Sequence, residues 1–194
     1  MADFPEADTA AMGRLQGGDD LALNDIMARW QQPLANYLLR FCGNEATALD
    51  LTQETFVRVY EARARYDARG KFATWLYTIA GNLARNSHRW QQRHPAVSLD
   101  APTDANGGTL ATHLPDAAPA PDANAEQAER TAAVRVAIAE LPDDLRSAVL
   151  LNEYEDRSHA DIADVLGCSP KAVEMKLYRA RQTLRERLTR WLQS

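Results

Sequence analysis

Along most of this chain the apolar residues return at steps of three and four, the spacing that lines one face of a helix, and the every-other-residue alternation of strands is rare. The pattern is cleanest between Ser158 and Trp191. A short first run carries Ile162, Ala163, Val165 and Leu166, and Gly167-Cys168-Ser169 interrupts it. Glycine takes the left-handed conformation that ends a helix, so Gly167 is read as the stop. Ser169 is a good N-cap for a second helix, and Pro170 sits at its first helical position, where the missing N–H costs nothing. The second run places Val173, Leu177, Ala180, Leu184, Leu188 and Trp191 on one stripe. Its other side holds Lys171, Met175, Lys176, Tyr178, Arg179, Gln182 and Arg185. Two helices joined by a tight glycine-containing turn, the second basic and exposed, describe a helix-turn-helix with its recognition helix. The plainer reading is an amphipathic surface helix whose charged face is only solvated.

Upstream, the same periodicity predicts a short helix over Thr9 to Leu15 that stops at Gly17-Gly18. Asp19 or Asp20 is placed to cap a second helix, with Leu23, Ile26, Met27, Trp30, Leu34, Tyr37, Leu38 and Phe41 as its apolar positions. Pro33 lies inside it and is expected to kink or split it. Gly43-Asn44 ends it. A third helix is expected from about Glu45 to Arg65, with Leu51, Thr55, Val59 and Ala62 on one side and Asp50, Gln53, Glu54, Val57 and Glu61 on another. After a loop at Tyr66 to Gly70, a fourth begins near Phe72 and runs to about Arg93. Leu76, Ile79, Ala80, Leu83 and Trp90 are read as its inward face, with Asn82, Arg85, Arg89 and Gln92 outside it.

The stretch from His94 to about Ala123 differs in kind. It holds five of the nine prolines, four aspartates and Gly107-Gly108, and no Lys or Arg occurs between Arg93 and Arg130. With almost no large apolar residue it cannot offset the entropy of ordering, so it is read as a flexible linker. Beyond it, Asn124 is placed to cap a helix through Leu141 with Ala133, Val134, Ala137 and Ile138 on its core stripe. Pro142 breaks that helix, and Asp143 and Asp144 open another bearing Leu145, Val149, Leu150 and Tyr154. The expected fold is therefore all-α: two small helical domains, residues 1–94 and 124–194, joined by an acidic Pro-rich linker at 95–123. The second domain is the helix-turn-helix, similar to a winged helix without the wing.

Charge sharpens this picture. The net charge of −5 looks wrong for a nucleic-acid binder, but it is unevenly spread. Residues 1–57 carry 3 basic and 9 acidic side chains, 58–93 carry 8 and 2, 94–170 carry 4 and 14, and 171–194 carry 7 and 2. At a Debye length of about 8 Å a polyanion responds to the local block. Two separated basic blocks point to two contacts on one nucleic acid, against the plainer reading of ordinary polyampholyte patterning. No apolar run is long enough to span a membrane, and the acidic MADFPEADTA start lacks an apolar signal-peptide core. Cys42 and Cys168, the two cysteines, are read as reduced thiols on apolar helix faces.

The first basic block interleaves aromatic and cationic residues: Phe72, Trp75 and Tyr77 with Lys71, Arg85, Arg89 and Arg93. Cations hold phosphates, while an aromatic face stacks an exposed base for about 1–3 kcal/mol. Phe72 is read as core; for Trp75 a core role and a stacking role both stand. Asp50, Gln53 and Glu54 occupy i, i+3 and i+4, an acidic-polar stripe able to dock a complementary helix, with Arg58 one turn on. No H-E-x-x-H, phosphate-binding glycine loop, nucleophile turn or metal-ligand spacing of histidines occurs. The chain is expected to be no enzyme, with no cofactor and no metal.

Two blocks, Asp50-Leu51-Thr52-Gln53-Glu54-Thr55-Phe56 and Phe72-Ala73-Thr74-Trp75-Leu76-Tyr77-Thr78-Ile79-Ala80-Gly81-Asn82, together resemble the sigma-70 family, and in particular its small extracytoplasmic-function (ECF) sigma factors. The helix-turn-helix is similar too, with Ile162-Ala163, Gly167, Ser169, Val173, Leu177 and Arg179-Ala180-Arg181. The resemblance implies a cytoplasmic initiation factor. Its Asp50, Gln53, Glu54 and Arg58 surface would bind the largest-subunit clamp helices of core RNA polymerase, with the flap region as a second contact. Lys71, Trp75, Tyr77, Asn82, Arg85 and Arg89 would recognise and melt a minus-10 promoter element, with Asn82 near a captured non-template base. Ser169, Lys171, Glu174, Met175, Lys176, Tyr178 and Arg179 would read a minus-35 element from the major groove. Glu174 stands where the family often has a basic residue and Met175 where it often has Ser, so Glu174 either accepts from a cytosine amino group or repels phosphate. An anti-sigma partner is common in the family, and no residue here identifies one. Two other classes stay open on the residues: a conventional helix-turn-helix regulator binding operator DNA directly, and an adaptor that binds other proteins.

Overall fold

A computed structural model describes residues 5–94 and 121–189. Among these residues every regular element is helical: α1 Pro5–Gln16, α2 Ala22–Cys42, α3 Glu45–Glu61, α4 Phe72–Arg93, α5 Pro121–Ala139, α6 Asp143–Glu153, α7 His159–Leu166 and α8 Pro170–Arg187, with one 3-10 turn at Arg63–Arg65. Most of the expected linker, and Trp191 of the final apolar stripe, lie outside the described residues.

The first domain packs α1, α3 and α4 around α2. Pro33 does not split α2, which is one helix of 21 residues. Ile26, Trp30, Leu34, Tyr37, Leu38 and Phe41 are all buried along it, and that packing outweighs the hydrogen bond Pro33 forfeits. Asp19 serves its start from outside, accepting the Leu21 N–H at 3.2 Å. Gly43, left-handed at φ 71°, ends α2, and Asn44 caps α3 by accepting the Thr47 N–H at 2.9 Å. The inward face of α3 is Ala48, Thr52, Thr55, Phe56 and Val59, with Leu51 half-buried. The two threonines are tolerated there because their hydroxyls donate to Ala48 O (2.7 Å) and Leu51 O (2.6 Å). The helix stops at Glu61, short of the expected Arg65, and a 3-10 turn takes over.

In α4 the buried residues end at Ala84. Trp90, expected inward, is 61% exposed and stacks on His94 with ring centroids 4.8 Å apart. Periodicity carried the stripe past the point where α4 leaves the core. Gly81 sits where a Cβ would lie 3.3 Å from the Arg85 guanidinium and 3.5 Å from the Tyr37 hydroxyl, so a small residue keeps α4 close to α2 there.

The second domain follows the expected punctuation. Helix α5 begins at Pro121, ahead of the Asn124 cap expected from the sequence. Ser158 caps α7, Gly167 ends it at φ 64°, Ser169 accepts the Ala172 N–H at 3.2 Å, and Pro170 opens α8. Val173, Leu177 and Ala180 of α8 pack on α6 and α7. Cys42 and Cys168 are free thiols, both partly buried. Burial pushes the Cys42 thiol up to about 11, with Arg146 pulling the other way.

The two domains share one apolar core: α2 meets α5 and α6, and α4 meets α7. Helix α1 is held differently. Asp8, almost wholly buried, accepts the Trp30 indole N–H at 3.0 Å and the Arg29 guanidinium at 2.8 Å. Replacing Asp8→Ala leaves a buried indole N–H without a partner, which costs about 1–3 kcal/mol. Urea unfolding of the variant is expected to show that loss; a midpoint equal to the parent's would show that α1 docks by apolar contact alone.

Candidate nucleic-acid and polymerase interfaces

Three faces carry the residues singled out from the sequence. The first is the outer side of α3. Asp50, Gln53 and Arg58 are exposed and Glu54 half-exposed, so helical spacing does place them on one open stripe. Glu54 accepts from Arg58 at 2.6 Å, one turn along. That hydrogen bond raises the Arg58 guanidinium further above its ordinary value. Beside the stripe runs a groove of about 500 Å³ between α2 and α3, lined by Leu23, Met27, Gln53, Phe56, Val57 and Tyr60. Val57 is 49% exposed at its rim. The sequence assigned Leu23 and Met27 to the apolar face of α2. Only the packing shows them partly buried at an open groove that continues the acidic stripe.

The second face is α4. Asn82 and Arg89 are exposed. Asn82 Oδ1 accepts from Arg85 at 2.8 Å, and Arg89 donates to Asn86 at 2.8 Å. Trp75 is half-buried, its ring 5.2 Å from Tyr66 and 6.1 Å from Phe72, so one edge packs and part stays open. Phe72 is core. Tyr77 does not belong on this face. It is fully buried among Trp30 and Tyr37, and its hydroxyl donates to Glu155 Oε2 at 2.6 Å. Burial, reinforced by the Glu155 charge, raises the Tyr77 hydroxyl well above its ordinary value. The interleaving of aromatics and cations hid the helical phase. Ala73, Tyr77, Ala80 and Ala84, at steps of four, three and four, are all buried, and that spacing would have placed Tyr77 inside.

The remaining α4 cations reach the second domain. Lys71 Nζ donates to Asp161 Oδ2 at 2.9 Å, and Arg85 lies 3.5 Å from the Ser147 hydroxyl. Burial works to raise the Asp161 carboxyl, but hydrogen bonds from Ser158 and Lys71 outweigh it and hold it below the ordinary carboxylate range.

The third face is the outer side of α8. Lys171, Glu174, Met175, Tyr178 and Arg179 are exposed, Tyr178 by 64%. Ser169 spends its hydroxyl oxygen on the cap. Lys176 is half-buried and bonded to Asp144 of α6. Glu174 is bonded to Lys171, which holds its carboxyl below the ordinary value. The pair is locally neutral, so Glu174 does not stand as a lone charge against phosphate. A groove of about 420 Å³ along this side adds His159, Gln182, Arg181 and Arg185 to the face.

Among the described residues no three His, Cys, Asp or Glu gather as metal ligands would, and no helix is long and apolar enough to cross a membrane.

Comparison with known proteins matches the two helical halves of the chain to a family. Residues 26–94 match the family model of Sigma-70 region 2, and residues 131–184 match that of Sigma-70, region 4. The chain is 32% identical to an ECF RNA polymerase sigma-E factor of Haemophilus influenzae, across 93% of this chain and 95% of that one. It is 35% identical to the RNA polymerase sigma factor CarQ of Myxococcus xanthus, across 91% and 95%. Among solved structures, CnrH in complex with the cytosolic domain of CnrY is similar with a TM-score of 0.69 and 25% identity, covering 95% of this chain and 98% of that one. The sigma factor RpoE of Bartonella quintana, in complex with the anti-sigma factor NepR, shares the fold at a TM-score of 0.64 and 19% identity over 87% of this chain. With both helical halves matched in order and relatives aligned over nearly their full length, the chain belongs to the sigma-70 family of RNA polymerase sigma factors, in its ECF group.

Proposed function

We propose that this chain is a sigma factor that mounts on core RNA polymerase and carries the enzyme to promoters, acting in the cytoplasm and contributing no chemistry of its own. The observation that carries this is the pairing of two family regions, in order, on two helical domains whose basic faces are separate. A conventional operator-binding regulator would need neither the region 2 match nor the acidic α3 stripe. Residues 1–94 form the polymerase-binding and minus-10 unit, 95–123 the linker, and 124–194 the minus-35 unit.

The partner of α3 is the clamp of the polymerase largest subunit. Asp50, Gln53, Glu54 and Arg58 supply the polar contacts, and the groove ending at Val57 takes an apolar side chain of the partner. On α4, Lys71, Asn82, Arg85 and Arg89 hold the minus-10 strand, and the open part of Trp75 offers a face to an unstacked base. On α8, Tyr178 and Arg179 reach base edges or phosphates, while Lys171 and Lys176 suit phosphates. An anti-sigma partner is part of the proposal: the Bartonella RpoE was solved with the anti-sigma factor NepR, and CnrH with the cytosolic domain of CnrY.

The decisive experiment is run-off transcription with purified core polymerase on a pool of genomic fragments. Discrete starts that need this chain are expected, and their absence with active core would sink the assignment. Replacing Asp50→Arg together with Glu54→Arg is expected to abolish co-elution with core while leaving the helical circular dichroism unchanged. Retained co-elution would move the docking surface elsewhere. Tyr178→Ala or Arg179→Ala is expected to cost about 1–3 kcal/mol of promoter recognition, a roughly tenfold to hundredfold loss of start-site use. Core binding should be untouched, and equal transcription from all three chains would exclude α8 as the reader.

A further inference from the structure

Helix α1 precedes the residues matched to region 2, which begin at 26, yet two of its polar side chains reach the aromatic cluster that includes Trp75. Four rings are in contact there. Trp30 lies 5.8 Å from Phe72, Phe72 lies 6.1 Å from Trp75, and Tyr66 lies 5.2 Å from Trp75 and 6.0 Å from Phe72. Trp30, Phe72 and Tyr66 are buried, and Trp75 is half-buried. Packed against Phe72 and Tyr66, the Trp75 ring is placed no more sharply than they are. Helix α1 secures both ends of this row. Asp8 accepts the Trp30 indole N–H at one end. At the other, Gln16, the last residue of α1, donates to the carbonyls of Arg63 (2.9 Å) and Tyr66 (3.0 Å).

A side-chain amide has two N–H groups, and Gln16 uses both. Its acceptors are 47 and 50 positions away, at the start and just past the end of the 3-10 turn Arg63–Arg65. The Arg63 carbonyl also accepts the Tyr66 N–H at 3.2 Å, so one amide holds the turn that delivers Tyr66. Beyond it the loop closes on itself. The Tyr66 hydroxyl reaches the Gly70 carbonyl at 3.5 Å, and the Gly70 N–H donates to the Asp67 carbonyl at 3.0 Å. Lys71, the next residue, is the N-cap position of α4. Gln16 is exposed, so its bonds exchange with water at small net cost and add little to global stability. What they fix is the place of the Tyr66 backbone and, through Tyr66, the ring of Trp75.

We propose that Gln16 is a positioning residue for base capture: by holding the Arg63 and Tyr66 carbonyls it sets Tyr66, and Tyr66 sets the open part of Trp75 for an unstacked base. This rests on the minus-10 reading of Trp75, and the test separates the two. Full-length parent, Q16E, Q16A, W75A and the double variant Q16E/W75A are compared with saturating core polymerase. Q16E keeps the shape of the side chain and removes both donors; Q16A removes the amide without adding charge and decides the matter if Q16E does not fold. Each chain is checked by circular dichroism and thermal melting. Start-site use is read on one promoter in two forms, an intact duplex and the same duplex with a mismatched, already open minus-10 segment. On the intact duplex W75A is expected to lose roughly tenfold or more, the worth of one stacked base. Q16E should lose about fivefold and the double variant no more than W75A, because Gln16 acts through that ring. Q16A should lose in the same direction by less. On the open template these losses should shrink to about twofold or below, since no base has to be unstacked there. A Gln16 loss that is equal on both templates, or that adds in full to the W75A loss, overturns the proposal. Parent-like activity of both Gln16 variants beside a defective W75A also overturns it and leaves the reading of Trp75 standing. Parent-like activity of W75A removes that reading and the role of Gln16 with it.

Discussion

Glu155 is a carboxylate 2% exposed to solvent, on a loop between two helices. A charge so placed must be neutralised or surrounded by donors, because the interior does not solvate it. Its donor is the Tyr77 hydroxyl from the other domain, with Arg40 beside it and Arg157 over the Tyr77 ring. The placement of the two domains depends on satisfying this group and its counterpart of opposite sign. Arg146, 3% exposed, donates to the carbonyls of Phe41, Ala139 and Leu141. These oxygens lie at the C-terminal ends of α2 and α5, where carbonyls have no helical partner and the helix dipole favours a cation. One guanidinium thus closes two helix ends in different domains. Burial lowers its affinity for a proton, yet a guanidinium stays charged.

An interface built this way is not a simple acid switch. Burial raises the Glu155 carboxyl, only partly offset by Tyr77 and Arg40. A raised carboxyl favours the docked state in acid, a contribution complete below the ordinary carboxylate value and lost as pH rises through the raised one. Asp161 is shifted the other way, so its contribution is complete above the ordinary value and lost as pH falls through the depressed one. The two groups oppose each other in acid. Near neutrality Asp161 with Lys71 supports docking, while ionised Glu155 relies on its donors. The packing of the two domains therefore does not follow the titration of either carboxyl alone.

Much of the fold was legible because helices announce themselves locally. The Gly167, Ser169 and Pro170 punctuation and the Val173, Leu177 and Ala180 stripe predict α7 and α8 where they stand. The α3 stripe was legible for the same reason. What the sequence hid was non-local. Tyr77 and Glu155 are 78 positions apart, and Arg146 and Phe41 are 105 apart. No periodicity links them. Tyr77 was misplaced because an aromatic between cations fits a stacking face and a core stripe equally until the phase of the alanines is counted. Trp90 and Pro33 failed for opposite reasons: the core ended before the stripe did in one case, and core packing outlasted a local breaker in the other.

The charge pattern carries a second meaning once the contacts are known. The acidic block at residues 94–170 separates two basic blocks in sequence, the pattern that suggested two candidate nucleic-acid faces. In space it is also where both basic blocks find partners: Lys71 on Asp161 from one side, and Lys176 on Asp144, Arg181 on Glu153 and Arg187 on Glu140 from the other. The exposed members of that set contribute little to stability. They differ in consequence. The α8 pairs stay within the second domain and do not involve Tyr178 or Arg179, whereas the Lys71 pair joins one domain to the other. The acidic residues between the two basic blocks therefore act by position as well as by net charge, since each of these four cations is held by a carboxylate of the second domain.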